Sequence, residues 1–99
     1  GNVLTPFVTT KKKWINPGET RTLTIRGKNF SPETEIMLSD FDGSIDEINI
    51  FSPESLSLTI TAGLTDSLSD IILRNGTRSN LLWGENGKDF LITRELNWI

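Results

Sequence analysis

The fold of this chain is decided by one stretch, NPGETRTLTIRGKNF at residues 16–30. Its Pro17-Gly18 pair favours a tight turn. The turn leads into a segment where the apolar Leu23 and Ile25 alternate with polar side chains, and alternation of period two indicates a strand buried on one face. A glycine at residue 27 bends the chain, so that Phe30 can turn inward and close one end of a core. The stretch predicts the opening of a small two-sheet β-domain.

Short alternating segments follow along the rest of the chain, separated by turns rich in Pro, Gly, Asn and Ser. We predict strands over residues 3–10, 20–26, 35–39, 45–51, 56–60 and 69–75, and a hairpin between 81–83 and 89–92 around Asn86-Gly87. In the 69–75 strand, Ile71 and Leu73 are expected to face the core and Ile72 the outer side. Seven or eight strands spaced by roughly eight to twelve residues, with no helical period, predict an all-β sandwich.

The composition limits the chemistry open to the chain. It has 99 residues, the length of one domain, and contains neither Cys nor His. Disulfides, thiolate metal sites and Ser–His or Cys–His nucleophile pairs are therefore excluded within it. We predict that the chain is not an enzyme and has no catalytic residues, no cofactor-binding residues and no cofactor. Both ends break off without a terminating signal, so we expect one module of a longer polypeptide.

Charge and hydropathy also narrow the range of partners. The net charge is -3 and the pI is near 4.8, a balance that repels a phosphate backbone and predicts no nucleic-acid partner. No apolar run approaches the ~20 residues that a membrane span requires. Lys11, Lys12 and Lys13 form a cationic cluster beside a turn. This cluster is either a cationic contact point for a partner or a solvated edge that discourages strand pairing.

Residues 40–47 hold the most chemically suggestive carboxylates, Asp40, Asp42 and Asp46, beside a glycine turn. Oxygen ligands spaced in this way can wrap a hard cation such as calcium. The segment lacks the bidentate glutamate of a complete calcium loop. Asp and Gly also supply ordinary turn geometry. We therefore predict no metal site and keep these three residues as candidates only.

Three tryptophans, Trp14, Trp83 and Trp98, stand out in a chain with no tyrosine. Exposed on a β-face, they would stack sugar rings or anchor a protein partner. Burial at the ends of the sandwich or under the final hairpin is the alternative. All three are candidate partner-binding or ligand-binding residues.

A second candidate surface is apolar. Ile72 on the outer side of its strand, together with Val3, Phe7 and Val8 on the first strand, would form an outer patch for a neighbour. Free sheet edges would offer a further mode of contact, by strand addition.

The order of these signals resembles the IPT/TIG branch of the immunoglobulin-like superfamily. The resemblance rests on Pro17-Gly18, on the alternating strand, on Gly27-Lys28-Asn29-Phe30 and on a later strand that ends in Asn75-Gly76. It covers about residues 15–82 and has no counterpart from Trp83 onward. It implies an immunoglobulin-like β-sandwich of about seven strands over residues 1–82. Residues 83–99 are then a C-terminal hairpin or linker extension, packed on the sandwich or leading out of it.

Such domains occur in cell-surface receptors, secreted polysaccharide-active enzymes, bacterial and phage surface proteins and some transcription factors. The resemblance therefore implies a non-catalytic structural or adhesion module of a larger extracellular, cell-surface or virion protein, such as a phage tail or capsid component. Its partners would be neighbouring domains of the same polypeptide or other protein subunits. Two alternatives remain open: an accessory carbohydrate-binding domain that uses exposed Trp on a polysaccharide, and a dimerisation module that contacts nucleic acid.

Overall fold

The computed structural model describes residues 3–80 and 87–95, and this part of the chain folds into two β-sheets with no α-helix. The predicted all-β sandwich is confirmed. Nine strands are described: β1 (Phe7–Val8), β2 (Lys13–Ile15), β3 (Thr20–Lys28), β4 (Glu35–Leu38), β5 (Gly43–Ser52), β6 (Ser55–Ala62), β7 (Ser67–Asn75), β8 (Arg78–Ser79) and β9 (Gly87–Thr93).

The first sheet is antiparallel, in the order β1-β3-β6-β5. Its register pairs Leu23 with Leu58 and Ile25 with Leu56, and all four side chains point into the core. Directly opposed residues of neighbouring strands share a face of the sheet. The same register therefore pairs polar residues, such as Thr22 with Thr59, on the outer face of this sheet. The stretch that opens the domain, residues 16–30, thus contains β3, which pairs with β6 over residues 20–26.

The second sheet has the order β2-β9-β7-β4, with the short β8 beside the end of β7. The pair β2 and β9 is parallel and matches residues 13–15 with 91–93, whereas β7 is antiparallel to β4, β8 and β9. Consecutive strands β1 and β2 therefore belong to different sheets. The pair β4 and β5 crosses between the sheets in the same way, at the opposite side of the sandwich.

The core lies between the two sheets and is almost entirely aliphatic. Its buried members are Ile15, Leu23, Ile25, Phe30, Leu38, Leu56, Leu58, Ile60, Ala62, Ile71, Leu73, Phe90 and Leu91. Burying each of the larger side chains contributes about 1.5–3 kcal/mol. Phe30 is 3% exposed, which confirms that it turns inward. Gly27 makes room for it, because a Cβ at this position would overlap both the Phe30 ring and the main chain of Phe7.

The first predicted strand is shorter than expected. Residues 3–10 were expected to form one strand, but β1 spans only Phe7–Val8, and Val3 and Leu4 are exposed. The amides of Thr9 and Thr10 both donate to the carbonyl oxygen of Arg26, at 2.9 and 3.2 Å. This shared acceptor ends the ladder with β3 and lets the chain cross to the second sheet as β2.

The predicted boundary at residue 82 does not divide the fold. Instead of belonging to an extension over 83–99, β9 lies between β2 and β7, and Phe90 and Leu91 are core residues at 3% and 0% exposure. Along 91–93 both edges of β9 are already paired. The short apolar run at residues 90–92 is compatible with this position inside the sheet. The other arm of the predicted hairpin, 81–83, lies outside the described residues.

Candidate binding surface on the outer face of the second sheet

Ile72 and Met37 form an apolar pair on the outer face of the second sheet. Its neighbours Ile71 and Leu73 are fully buried, and Ile72 is partly exposed between them, as the sequence predicts. Ile72 pairs with Met37 on β4, whose side chain is 59% exposed. The two side chains share a face because they oppose each other in the ladder.

A second apolar row crosses the same sheet nearer its other end. In the register, Ile92 on β9 opposes Trp14 on one side and Leu68 on the other. Leu68 is 55% exposed, while Trp14 and Ile92 are half-buried. Asp70 lies between this row and Ile72 on β7. We call the five apolar residues, Trp14, Met37, Leu68, Ile72 and Ile92, the apolar outer face.

Trp14 is held in a fixed orientation at the edge of this face. Its indole Nε1–H donates to the carbonyl oxygen of Arg94 at 2.9 Å. The Arg94 guanidinium carbon lies 5.7 Å from the centroid of the ring, a cation–π arrangement. The polar atom of the indole is thus already bonded, and one face of the ring is covered by a cation.

A groove of about 350 Å³ opens around the Ile72–Met37 pair. Its lining residues are Glu35, Ile36, Met37, Ile72, Arg74 and Ser79. The Arg74 Nη2 and Glu35 Oε2 atoms are 2.9 Å apart and form an exposed ion pair within this lining. The groove therefore offers apolar area next to paired charge, a combination that suits a protein side chain better than a metal or a phosphate.

The other residues of the predicted patch and the other tryptophans lie elsewhere. Phe7 and Val8 are in β1 of the first sheet, and Val8 packs against the core. They do not share a face with Ile72, so the single patch expected from the sequence is wrong. Trp83 and Trp98 lie outside the described residues.

The acidic segment forms a turn and an edge. The carboxylate of Asp42 accepts a hydrogen bond from the amide of Thr65 at 3.4 Å. Asp40 adopts a left-handed main-chain conformation, with a φ of 56°. Asp46 accepts hydroxyl hydrogen bonds from Thr61 at 2.6 Å and Ser44 at 2.7 Å, which lower its pKa. Within residues 3–80 and 87–95, no three acidic side chains gather into a group that could hold a metal ion. The three weak candidates, Asp40, Asp42 and Asp46, are therefore not brought together as ligands in this part of the chain.

The outer face of the first sheet is polar and differs sharply from the apolar outer face. Thr20 and Thr61 are joined through their hydroxyl oxygens at 2.8 Å, and Thr22 and Thr59 at 2.9 Å. These hydroxyls satisfy one another across β3 and β6. The contrast between the two outer faces identifies the second sheet as the side suited to an apolar partner.

Sequence reasoning missed Leu68 and Ile92 as surface residues. The signal for Leu68 was available, because residues 68, 70 and 72 share one face of a strand that begins two residues earlier than predicted. Ile92 could not be found in this way, since it lies within an apolar run.

No family model, curated protein or solved structure matches this chain. In the part of the chain that the structure describes, there is no helix of the length and apolarity needed to cross a membrane.

Proposed function

We propose that the chain is a non-catalytic structural or adhesion module of a larger surface, secreted or virion protein. It packs against a neighbouring domain or subunit through the apolar outer face. The observation that carries the proposal is the pair of apolar rows on the solvent side of the second sheet, where Met37 and Leu68 are more than half exposed. Several exposed apolar side chains on one face of a domain are typical of a contact site.

The strand order supports an immunoglobulin-like module. The orders β1-β3-β6-β5 and β9-β7-β4 correspond to strands ABED and GFC of that fold. The pairing of Asn75 with the turn at Asn29 also agrees with the IPT/TIG resemblance, in which a late strand ends in Asn. A fold of this kind is a scaffold, so the proposed function depends on the surface and not on the fold.

The geometry of Trp14 gives less support to a carbohydrate-binding module. A sugar platform needs an open indole face, whereas Arg94 covers one face and the Nε1–H is already bonded. Trp14 is better suited to fix the edge of a protein-binding surface, since its orientation is set before a partner arrives.

Site-specific photo-crosslinking tests the proposal in the parent polypeptide or particle. A photoreactive phenylalanine replaces Leu68 on the apolar outer face, and the matched control replaces Thr22 on the polar face of the first sheet. We expect crosslinks to a neighbouring domain or subunit from position 68 and none from position 22.

Equal crosslinking from both positions, or none from position 68, would contradict the proposal. A glycan array with the isolated chain decides the carbohydrate alternative: retention that is lost in Trp14→Ala would replace the structural function by a sugar-binding one. A gel shift of nucleic acid by the chain at low salt would replace the structural function by a nucleic-acid-binding one.

A further inference from the structure

The charges of this chain are strongly segregated along the sequence. Residues 1–28 contain six basic residues and one acidic residue. Residues 29–73 contain nine acidic residues and no basic residue. The net charge of -3 conceals this separation, because the charges of the two blocks partly cancel.

The fold converts this separation into two oppositely charged edges. The basic block supplies β1 and β2, which are the terminal strands of the two sheets on one side of the sandwich. The acidic block supplies β4 and β5, which are the terminal strands on the other side. Each pair is joined by only four residues, so its two strands lie close together. One side of the sandwich is therefore basic and the other acidic.

The acidic edge is built around β5, a strand of 10 residues that pairs only with β6 in the described part of the chain. An irregularity in its register falls between Ile45 and Glu47. Because Asp46 binds Thr61 and Glu47 opposes Thr59, both carboxylates lie on the outer face, at the free edge. Asp40 and Asp42 extend the acidic edge into the preceding turn.

Apolar side chains lie beside these carboxylates. Ile48 is 38% exposed although it faces the core side of the sheet, and Phe51 is 67% exposed. The four-residue β4 is too short to cover the whole length of β5. The acidic edge thus presents charge, open main-chain groups and apolar area together.

The basic edge is built around the connection between β1 and β2. Lys11 and Lys12 are exposed and Lys13 is half-buried, and Arg26 is exposed on the adjoining β3. Among the described residues, these four cations form no ion pair, whereas Arg21, Lys28 and Arg74 are each paired with a glutamate. These cations lie on the side of the sandwich opposite Asp46 and Glu47, which also form no ion pair among the described residues.

We propose that a second copy of this chain docks its basic edge, formed by β1 and β2, against the acidic edge formed by β4 and β5. The contact rests on the proposed structural function and names one partner for it, through the two edges of the sandwich. The edge strands β2 and β4 also carry Trp14 and Met37, at the margins of the apolar outer face, whereas Leu68 lies on β7 away from both edges. Charge complementarity selects this arrangement, since two acidic edges or two basic edges repel each other.

Such a contact is heterologous, because different surfaces of the two copies meet. Each added copy leaves one acidic and one basic edge open, so association continues into a ring or a row of modules. A two-fold dimer through β5 would place Asp46 and Glu47 beside their own counterparts, and we expect it not to form.

Sedimentation equilibrium of the 99-residue chain tests the proposal. We expect self-association in about 20 mM salt, where the Debye length is about 20 Å, and its loss in about 300 mM salt, where that length is about 6 Å. Glu47→Lys on the acidic edge and Lys12→Glu on the basic edge should each weaken association about fivefold, as expected for exposed charge pairs. Glu95→Lys changes the net charge as much as Glu47→Lys but lies beyond β9, and it should not weaken association.

Mixing the two weakened variants gives the decisive result. The intact basic edge of Glu47→Lys fits the intact acidic edge of Lys12→Glu, so an equimolar mixture should recover association. Absence of association at low salt, equal effects of Glu47→Lys and Glu95→Lys, or a mixture no stronger than its components would each overturn the proposal. Leu68→Glu should leave self-association unchanged. If it abolishes it, the second copy docks on the apolar outer face, and the edge contact is refuted while the structural function stands.

Discussion

The side chain of Asn80 takes the place of a strand beside Ile71. Its Nδ2 donates to the carbonyl oxygen of Ile71 at 2.9 Å, and its Oδ1 accepts the amide of Leu73 at 3.0 Å. Asn80 is 2% exposed and lies where β7 passes from pairing with β9 to pairing with β8. A side-chain amide carries one donor side and one acceptor side, so it can continue the ladder across this gap.

Replacing this amide should cost a large part of the stability. In Asn80→Leu the carbonyl of Ile71 and the amide of Leu73 lose these partners, and each buried polar group left unpaired costs about 1–3 kcal/mol. We expect the free energy of unfolding in urea to fall by about 3 kcal/mol. Asn49→Leu, on the exposed face of β5, is the matched control and should change it by less than about 0.5 kcal/mol. Equal effects of the two substitutions would contradict this role of Asn80.

Removing the buried hydroxyl of Thr93 should raise the stability of the fold. The Oγ1 of Thr93 has no hydrogen-bond partner in the described part of the chain, and the residue is 1% exposed. Thr93→Val removes the unpaired hydroxyl and keeps the branched shape, so we expect the free energy of unfolding to rise by about 1 kcal/mol. Thr24→Val, on an exposed position of β3, should leave it nearly unchanged. A less stable Thr93→Val protein would show that the hydroxyl is bonded, for instance to water.

The turn at residues 16–19 predicts a specific acid sensitivity. The amide of Asn16 donates to Glu19 Oε1 at 2.9 Å, and this bond, reinforced by Arg21 against the opposing effect of burial, lowers the pKa of Glu19 below its usual value of 4.5. The ionised carboxylate therefore stabilises the fold above about pH 4.5, and this contribution disappears as the pH falls through the lower folded pKa.

Glu19→Gln should accordingly be less stable than the parent chain at neutral pH and converge with it at the acid end of the titration. Urea unfolding at several pH values between neutral and strongly acid measures the difference. Glu33→Gln, at an exposed position of the turn before β4, is the isosteric control. A constant difference between Glu19→Gln and the parent at every pH would refute the electrostatic explanation.

Close packing at Gly27 predicts that β1 depends on the absence of a side chain. A Cβ there would overlap the carbonyl oxygen of Phe7 and the ring of Phe30, and the carbonyl belongs to main chain that cannot rotate away. We expect Gly27→Ala to lower the free energy of unfolding by about 1–3 kcal/mol, in the range of an overpacked site. Hydrogen exchange at Thr9, whose amide bonds to Arg26, should accelerate with it. If the exchange rate at Thr9 is unchanged, the added methyl group does not disturb the pairing of β1 with β3, and the prediction is wrong.

Local pattern was enough to predict the faces of single strands. Leu23 and Ile25 alternate with polar residues, and Ile71, Ile72 and Leu73 follow the same rule on β7. In each case the direction of a side chain depends only on its position along a pleated strand. The turn chemistry at Pro17-Gly18 and the inward ring of Phe30 are equally local.

Pairing between distant strands could not be predicted in this way. The residues of β9 form an apolar run that fits a hairpin or a central strand equally well, and only the tertiary fold places Leu91 between Lys13 and Ser69. The apolar outer face depends on the same register, since Ile92 joins Trp14 to Leu68 only after β9 is in place. Asn80 carries no sequence signal of its role, because an Asn near a turn is common.

The parallel pairing of β2 with β9 has a mechanical consequence. These strands come from the first and last parts of the described chain, and the amide of Arg94 adds a bond to the carbonyl of Ile15 at 3.1 Å. Tension applied between residues 13 and 93 would slide the two strands past each other and load their bonds together. Neighbours joined in the antiparallel sense at a turn would instead peel apart one bond at a time. A module built in this way should resist stretching until the hydrogen bonds between β2 and β9 break together.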